Sequence, residues 1–174
     1  MTGKSVLDFG CGTGRAALIF SSQSYVGVDV DLDRLNVAAR LHRDHSFLLT
    51  KSGRLPFQDQ SFDVVFVCSV LHHLSDEEVL FYASEFRRVL RLNGIAIFVE
   101  PIYRPDAPVT NRFMAACDQG QFIRPTAQYE RLLAGALRVC VHMRYRAPNL
   151  YNYVVVSGTN VNAWSDERSA VIDV

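Results

Sequence analysis

Apolar runs punctuate the first part of the chain at short intervals: SVLDF (Ser5 to Phe9), SYVGV (Ser24 to Val28), FLL (Phe47 to Leu49), VVFVC (Val64 to Cys68) and IAIFV (Ile95 to Val99). They are rich in branched and aromatic residues and lack polar alternation, which is the pattern of strands buried on both faces. Between them the spacing turns helical. A helix-like run follows three glycines and ends near Phe20. Asp31 is placed to cap a helix whose Leu35, Ala38, Ala39 and His42 share one side. Ser75 and Glu78 form a capping box ahead of EEVLFYASEFRRVL, where Val79, Ala83, Phe86 and Leu90 make a stripe. Asn93-Gly94 is then expected to close that helix. Strand and helix in repeated alternation imply right-handed crossovers and a parallel sheet with helices on both faces.

Beyond Pro101 the style changes. A proline-punctuated stretch runs to Pro125, with a short helix expected around Asn111 to Cys117 and another from Thr126 to Ala134. RVCVHMRYR (Arg138 to Arg146) and LYNYVVVSG (Leu150 to Gly158) are separated only by Ala147-Pro148-Asn149, which suits an antiparallel hairpin at the end of the sheet. In the first of these, a period of two sends Val139, Val141, Met143 and Tyr145 to one face. Arg138, Cys140, His142, Arg144 and Arg146 take the other, which reads as the exposed face of an edge strand or as a surface for an anionic partner. One domain is expected over residues 1–158, with 159–174 as a tail of no assigned structure.

Composition narrows the field. A chain of 174 residues, 49% hydrophobic and 21% charged, can bury one sizeable core. Eighteen basic residues balance eighteen acidic ones, so no global field draws it to nucleic acid or to an anionic membrane. Cys11, Cys68, Cys117 and Cys140 are scattered without a CxxC pair, poor material for zinc or for disulfides. No apolar stretch has the length of a signal peptide core or a membrane span, so the expected compartment is cytoplasmic.

The chemistry concentrates in DFGCGTG, between the first strand and the run that follows. A glycine-rich turn at the carboxyl edge of a parallel sheet lets a ligand approach the backbone closely. Gly10, Gly12 and Gly14 give GxGxG, and Arg15 stands where a dinucleotide fingerprint wants its last glycine, which argues against NAD. DFGCGTG instead resembles the nucleotide-binding loop of the class I S-adenosylmethionine-dependent methyltransferases. VGVDVD, LPFQDQSFDVVFVCSVLHHLSD and FRRVLRLNGIAIFVEP are similar to that family's later motifs, in the same order, over about Val6 to Pro101. The resemblance implies an α/β fold, Rossmann-like and doubly wound. Its seven-stranded sheet would be mostly parallel and end in the antiparallel C-terminal hairpin. It further implies S-adenosylmethionine as cofactor and S-adenosylhomocysteine as product.

Mapped residue by residue, the resemblance gives cofactor-binding roles to Asp8, Gly10, Cys11, Gly12, Gly14, Asp29, Val30, Ser52, Gly53 and Ser69. One ionised carboxylate can accept both hydroxyls of a ribose, the role implied for Asp29. Asp8 either faces the cofactor's positive end or braces the glycine turn by accepting its backbone N–H groups. Lys51 stands where the family often has an acidic residue for the adenine amino group, and a lysine cannot accept that bond. Backbone near Ser52 and Gly53 is the expected substitute. Cys68 reads as a buried core thiol rather than a nucleophile.

Methyl transfer is an in-line displacement at an activated carbon, so holding the acceptor and excluding water are the main tasks. Where the acceptor loses a proton, His73, Glu100 and Tyr103 are the candidate bases, at the ends of the fourth and fifth strands. No Asn-Pro-Pro-Tyr type motif and no acidic cluster for a metal is visible, which leaves a small-molecule acceptor. The first strand starts at Ser5, so the family's N-terminal cap helices are expected to be missing. The Pro101 to Pro125 segment, with Phe113, Met114, Phe122 and the anion-holding candidates Arg104, Arg112 and Arg124, or a partner subunit or second copy, would then cover the site. The competing reading is a cofactor-binding but catalytically idle partner or regulatory module.

Overall fold

The computed structural model describes residues 3–102, 121–146 and 152–160. Strands β1 (Val6–Phe9), β2 (Tyr25–Asp29), β3 (Ser46–Leu49), β4 (Phe62–Cys68), β5 (Leu90–Pro101), β6 (Leu137–Arg146) and β7 (Asn152–Asn160) form one sheet in the order β3-β2-β1-β4-β5-β7-β6. The first five run parallel, and β7 lies antiparallel to both β5 and β6. The order reverses between β1 and β4, whose parting carboxyl ends open the crevice where such sheets bind ligands.

Helices α1 (Leu32–Leu41), α2 (Asp76–Val89) and α3 (Thr126–Leu133) pack on the sheet. Asp31 caps α1 by accepting from the Asp33 and Arg34 N–H groups, and the Ser75–Glu78 capping box opens α2. The larger core joins Leu7, Phe9, Val65, Val67 and Phe98 to Val79, Ala83 and Phe86 of α2 and Leu133 of α3. The opposite face buries Val6, Val64 and Phe66 under Ala17, Phe20 and Tyr25. The LPF motif is held by Arg88, which donates to the carbonyls of Leu55 and Phe57 and pairs with Glu85 and Asp59.

The run after the glycines is not an α-helix. It forms 3-10 turns at Ala17–Ile19 and Ser22–Ser24. The span to β2 is short, and Phe20 leaves it in extended backbone to seat its ring between Tyr25 and Phe66. Helix α2 ends at Val89, not at Asn93-Gly94. The Leu90 N–H still closes the last turn on the Phe86 carbonyl, but Leu90 itself is fully buried and extended, and it pairs with Phe62 as the first residue of β5. Gly94 serves strand packing instead, since a Cβ there would fall 3.1 Å from the Asp63 carbonyl oxygen. The FLL strand is an edge strand, with Leu48 and Leu49 exposed rather than buried on both faces.

In β6 the period of two breaks. Val141 opposes Val156 while Met143 opposes Val155, so His142 is an extra residue in a β-bulge, and the residues beyond it change faces. Val141 lies in the core beside Val154 and Val156, whereas Met143 is exposed and Tyr145 stacks on Tyr153. Arg144 consequently shares the helix-covered side and reaches the Thr126 hydroxyl at 3.3 Å. The position of β6 at the sheet edge is as the pattern predicted. Strand β7 carries ordered pairing through Asn160, two residues past the expected domain end. The proposed helix at Asn111 to Cys117, Tyr103 and the Ala147-Pro148-Asn149 turn lie outside the described residues. No helix among the described residues is long and apolar enough to cross a membrane.

Candidate active site

The end of β1 turns through the glycine loop, whose Gly10 and Cys11 N–H groups donate to the Val28 carbonyl at 2.8 and 3.0 Å. Gly10 has φ 71°, and a Cβ on it would overlap the Val70 side chain, so only glycine fits between the two loops. Gly14 has φ 78° and a different reason: a Cβ would lie 2.7 Å from the His42 ring and 3.2 Å from Ala38, closing the gap that α1 needs. Asp29 ties this loop to β2. Its Oδ2 accepts the Gly12 N–H at 2.8 Å and its Oδ1 the Asp31 N–H at 2.9 Å, which leaves further lone pairs on both oxygens.

Bracing of the turn was one of two readings for Asp8, and the structure gives that task to Asp29. Asp8 is 2% exposed and accepts the Tyr25 hydroxyl at 2.6 Å. Burial raises its carboxyl to about 6, against the pull of the Tyr25 hydrogen bond and with a further push from the Asp29 charge. Burial, then Asp8 and Asp29, push the Cys11 thiol up, so Cys11 is a neutral buried thiol.

The loop after β4 is the second wall. Ser69 sits in the left-handed region at φ 57°, and its N–H donates to the Val99 carbonyl. Below it lies Glu100, 1% exposed, whose Oε1 accepts the Val70 and Leu71 N–H groups, both at 2.9 Å, while Oε2 lies 3.0 Å from His72 Nδ1. Glu100 is thereby corrected from base candidate to positioning residue: its oxygens face the loop backbone and a buried imidazole. Arg124 is also buried, bonded to the carbonyls of Leu71, Phe122 and Leu74 and to the Asp76 carboxylate, so it is not held out for an anion. Cys68, expected in the core, is exposed at the strand end.

These two loops, with α2, enclose a cavity of about 510 Å³ at the carboxyl ends of the strands. Of the residues singled out in the sequence, Gly10, Asp29, Val30, Ser52, Ser69 and His73 line it. Asp8, Cys11, Gly12 and Gly14 are not among the lining residues, and Gly53 is joined to the lining through the hydroxyl of Tyr82. Sequence reasoning missed Phe9, Thr50, Arg34, Val70, Glu78 and Tyr82, all of them lining residues. The pair Glu78 and Tyr82 carried a usable signal: four apart in the first turns of a capped helix, they share one face.

A doubly wound sheet with its ligand cavity at the topological switch point, walled by a glycine loop and a strand-end carboxylate, defines a nucleotide-binding α/β protein. The particular group follows from comparison with known proteins. The family model described as a methyltransferase domain matches residues 7–98, and the chain belongs to that family, within the class I S-adenosylmethionine-dependent methyltransferases. Among curated relatives, it is 34% identical over 116 residues to the uncharacterized methyltransferase YcgJ of Bacillus subtilis, covering 63% of this chain and 45% of that protein. It is 32% identical over 119 residues to the fatty-acid O-methyltransferase of Mycolicibacterium smegmatis, covering 65% and 43%. The chain thus spans less than half the length of these relatives. In structure it is similar to the crystal structure of YcgJ from Bacillus subtilis, with a TM-score of 0.72 at 19% identity, covering 90% of this chain and 92% of that one. It has the same TM-score, at 13% identity, to the geranyl diphosphate C-methyltransferase of Streptomyces coelicolor, covering 91% and 74%.

Proposed function

We propose that the chain transfers the methyl group of S-adenosylmethionine to a small-molecule acceptor. The observation that carries this reading is Asp29, whose carboxylate is aimed along the cavity wall by the Gly12 and Asp31 N–H groups with lone pairs left for a ribose diol. Gly10 and Ser69 would flank the amino acid end of the cofactor, which supplies the activated methyl. Asp8, two residues before Gly10, would offset the positive charge there. Several relatives support a small acceptor by name: besides the fatty-acid enzyme, a demethylmenaquinone methyltransferase of Thermotoga maritima is 30% identical over 114 residues.

His73 is the base we assign where the acceptor must lose a proton. Its ring borders the cavity and packs on the His72 ring at 4.1 Å between centroids. Titration with S-adenosylmethionine, S-adenosylhomocysteine and NAD tests the cofactor, with binding of the first two and not the third expected. A methyl-transfer screen then separates an enzyme from an idle module. In a folded His73→Ala variant, the single-turnover rate should fall by about 100-fold while S-adenosylhomocysteine affinity holds. A normal rate with a lowered melting temperature would make His73 structural.

A further inference from the structure

Two hydroxyls in the cavity lack a protein acceptor among the described residues. Tyr82 is 6% exposed and lines the cavity, packed against Phe9 at 4.7 Å between ring centroids. Its oxygen accepts the Gly53 N–H at 3.0 Å, but its own proton is given to no group. Thr50, 8% exposed, lines the same cavity, and its hydroxyl likewise makes no protein hydrogen bond. Both hydroxyls open onto the cavity, so each is available to a hydrogen-bonding group of a ligand seated there. Meanwhile Lys51, next in the chain to Thr50, is exposed and has no acceptor oxygen in its side chain.

Adenine offers ring nitrogens as acceptors and an exocyclic amine as donor. We propose that Tyr82 is a specificity-determining residue for the purine end of the cofactor, its hydroxyl donating to one ring nitrogen of adenine while its oxygen holds Gly53 in place. Thr50 is the complementary group, an oxygen able to accept from the exocyclic amine. Orientation follows from packing: the Tyr82 ring packs against Phe9 and Phe86 in a three-ring cluster, and the Gly53 N–H occupies one lone pair, so the O–H direction is restricted. This inference rests on the S-adenosylmethionine reading above.

The test is calorimetric binding of S-adenosylhomocysteine and its 1-deaza, 3-deaza and 7-deaza adenine analogues to the parent and to Tyr82→Phe. Against the parent, one analogue should bind about threefold to tenfold more weakly than S-adenosylhomocysteine, the net worth of one hydrogen bond. Tyr82→Phe should lose a larger factor for S-adenosylhomocysteine and for the other analogues than for that one, for which only the loss of the Gly53 contact remains. An equal loss across all four ligands would show that the hydroxyl only props up Gly53, and the proposal falls while the cofactor reading stands. Should no deaza analogue bind the parent more weakly, no ring nitrogen is read, and the proposal falls without needing the variant. If the parent binds none of the four, the cofactor reading itself is overturned, and this inference with it.

Discussion

Asp29, the last residue of β2, and Glu100, the last but one of β5, are carboxylates that each hold a loop by two backbone N–H groups, yet they do different jobs. Asp29 is half-buried on the cavity wall, and its donors come from the glycine loop and its own strand end. Glu100 is sealed under the loop after β4, where its second oxygen goes to His72. Accessibility separates a group that can still accept from a ligand from one that only shapes the ligand's wall. Asp8, at the end of β1, completes the series. It is buried as deeply as Glu100, yet one donor reaches it against three for Glu100.

The largest effect should come from emptying the β5 position. Glu100→Ala removes the acceptor of the Val70 and Leu71 N–H groups and the carboxylate beside His72 Nδ1 in the interior, and loss of one member of a buried polar pair costs about 3–5 kcal/mol. The urea midpoint should fall accordingly, while Glu100→Gln, which keeps one carbonyl oxygen, should fall less. A loss under about 1 kcal/mol, the scale of an exposed pair, would remove the distinction between the two strand ends.

Asp8 should show its scarcity of donors in the pH dependence of stability. Its native carboxyl titrates at about 6 against a usual 3.8, so between those values the folded protein holds a proton that the unfolded chain has released. Stability then declines as pH rises through this window and levels off above it, a contribution on the order of 3 kcal/mol. Asp8→Asn keeps an acceptor for Tyr25 and carries no charge. Subtracting its stability curve from the parent's between pH 4 and 7 should leave that decline; a flat difference would mean that Asp8 is solvated.

What could be read from the sequence was what neighbours in the chain determine. The capping box and the Asp31 cap are short-range patterns, and both are in place, whereas the pairing of the GxGxG turn with Asp29, 17 positions on, came from the family resemblance. Glu100 beneath the loop, Arg124 bonded to Leu71 across 53 positions, and Tyr82 reaching Gly53 across 29 depend on partners that only the fold selects. Periodicity failed at β6 for a related reason. One bulged residue, His142, is invisible in a local pattern but reverses every side chain after it. Helix α2 likewise stopped early because Leu90 found a strand partner in Phe62.

The smallest and most discriminating effect belongs to Asp29. Its carboxylate accepts two backbone donors at a half-buried site, where water can replace much of what is lost, so Asp29→Ala should lower stability by about 1 kcal/mol. Its loss to ligand binding should be larger, roughly 1.5–3 kcal/mol in S-adenosylhomocysteine affinity, because charge-assisted bonds to a ribose are removed inside a cavity. Thermal unfolding without ligand and calorimetric titration on the same preparation separate the two. Asn at this position should recover only part of the stability and little of the affinity, since its one amide oxygen can serve either the Gly12 or the Asp31 N–H and its NH2 group then faces the other donor. A variant whose affinity falls only as far as its stability would make Asp29 a loop brace like Glu100, and would erase the difference between the two strand ends.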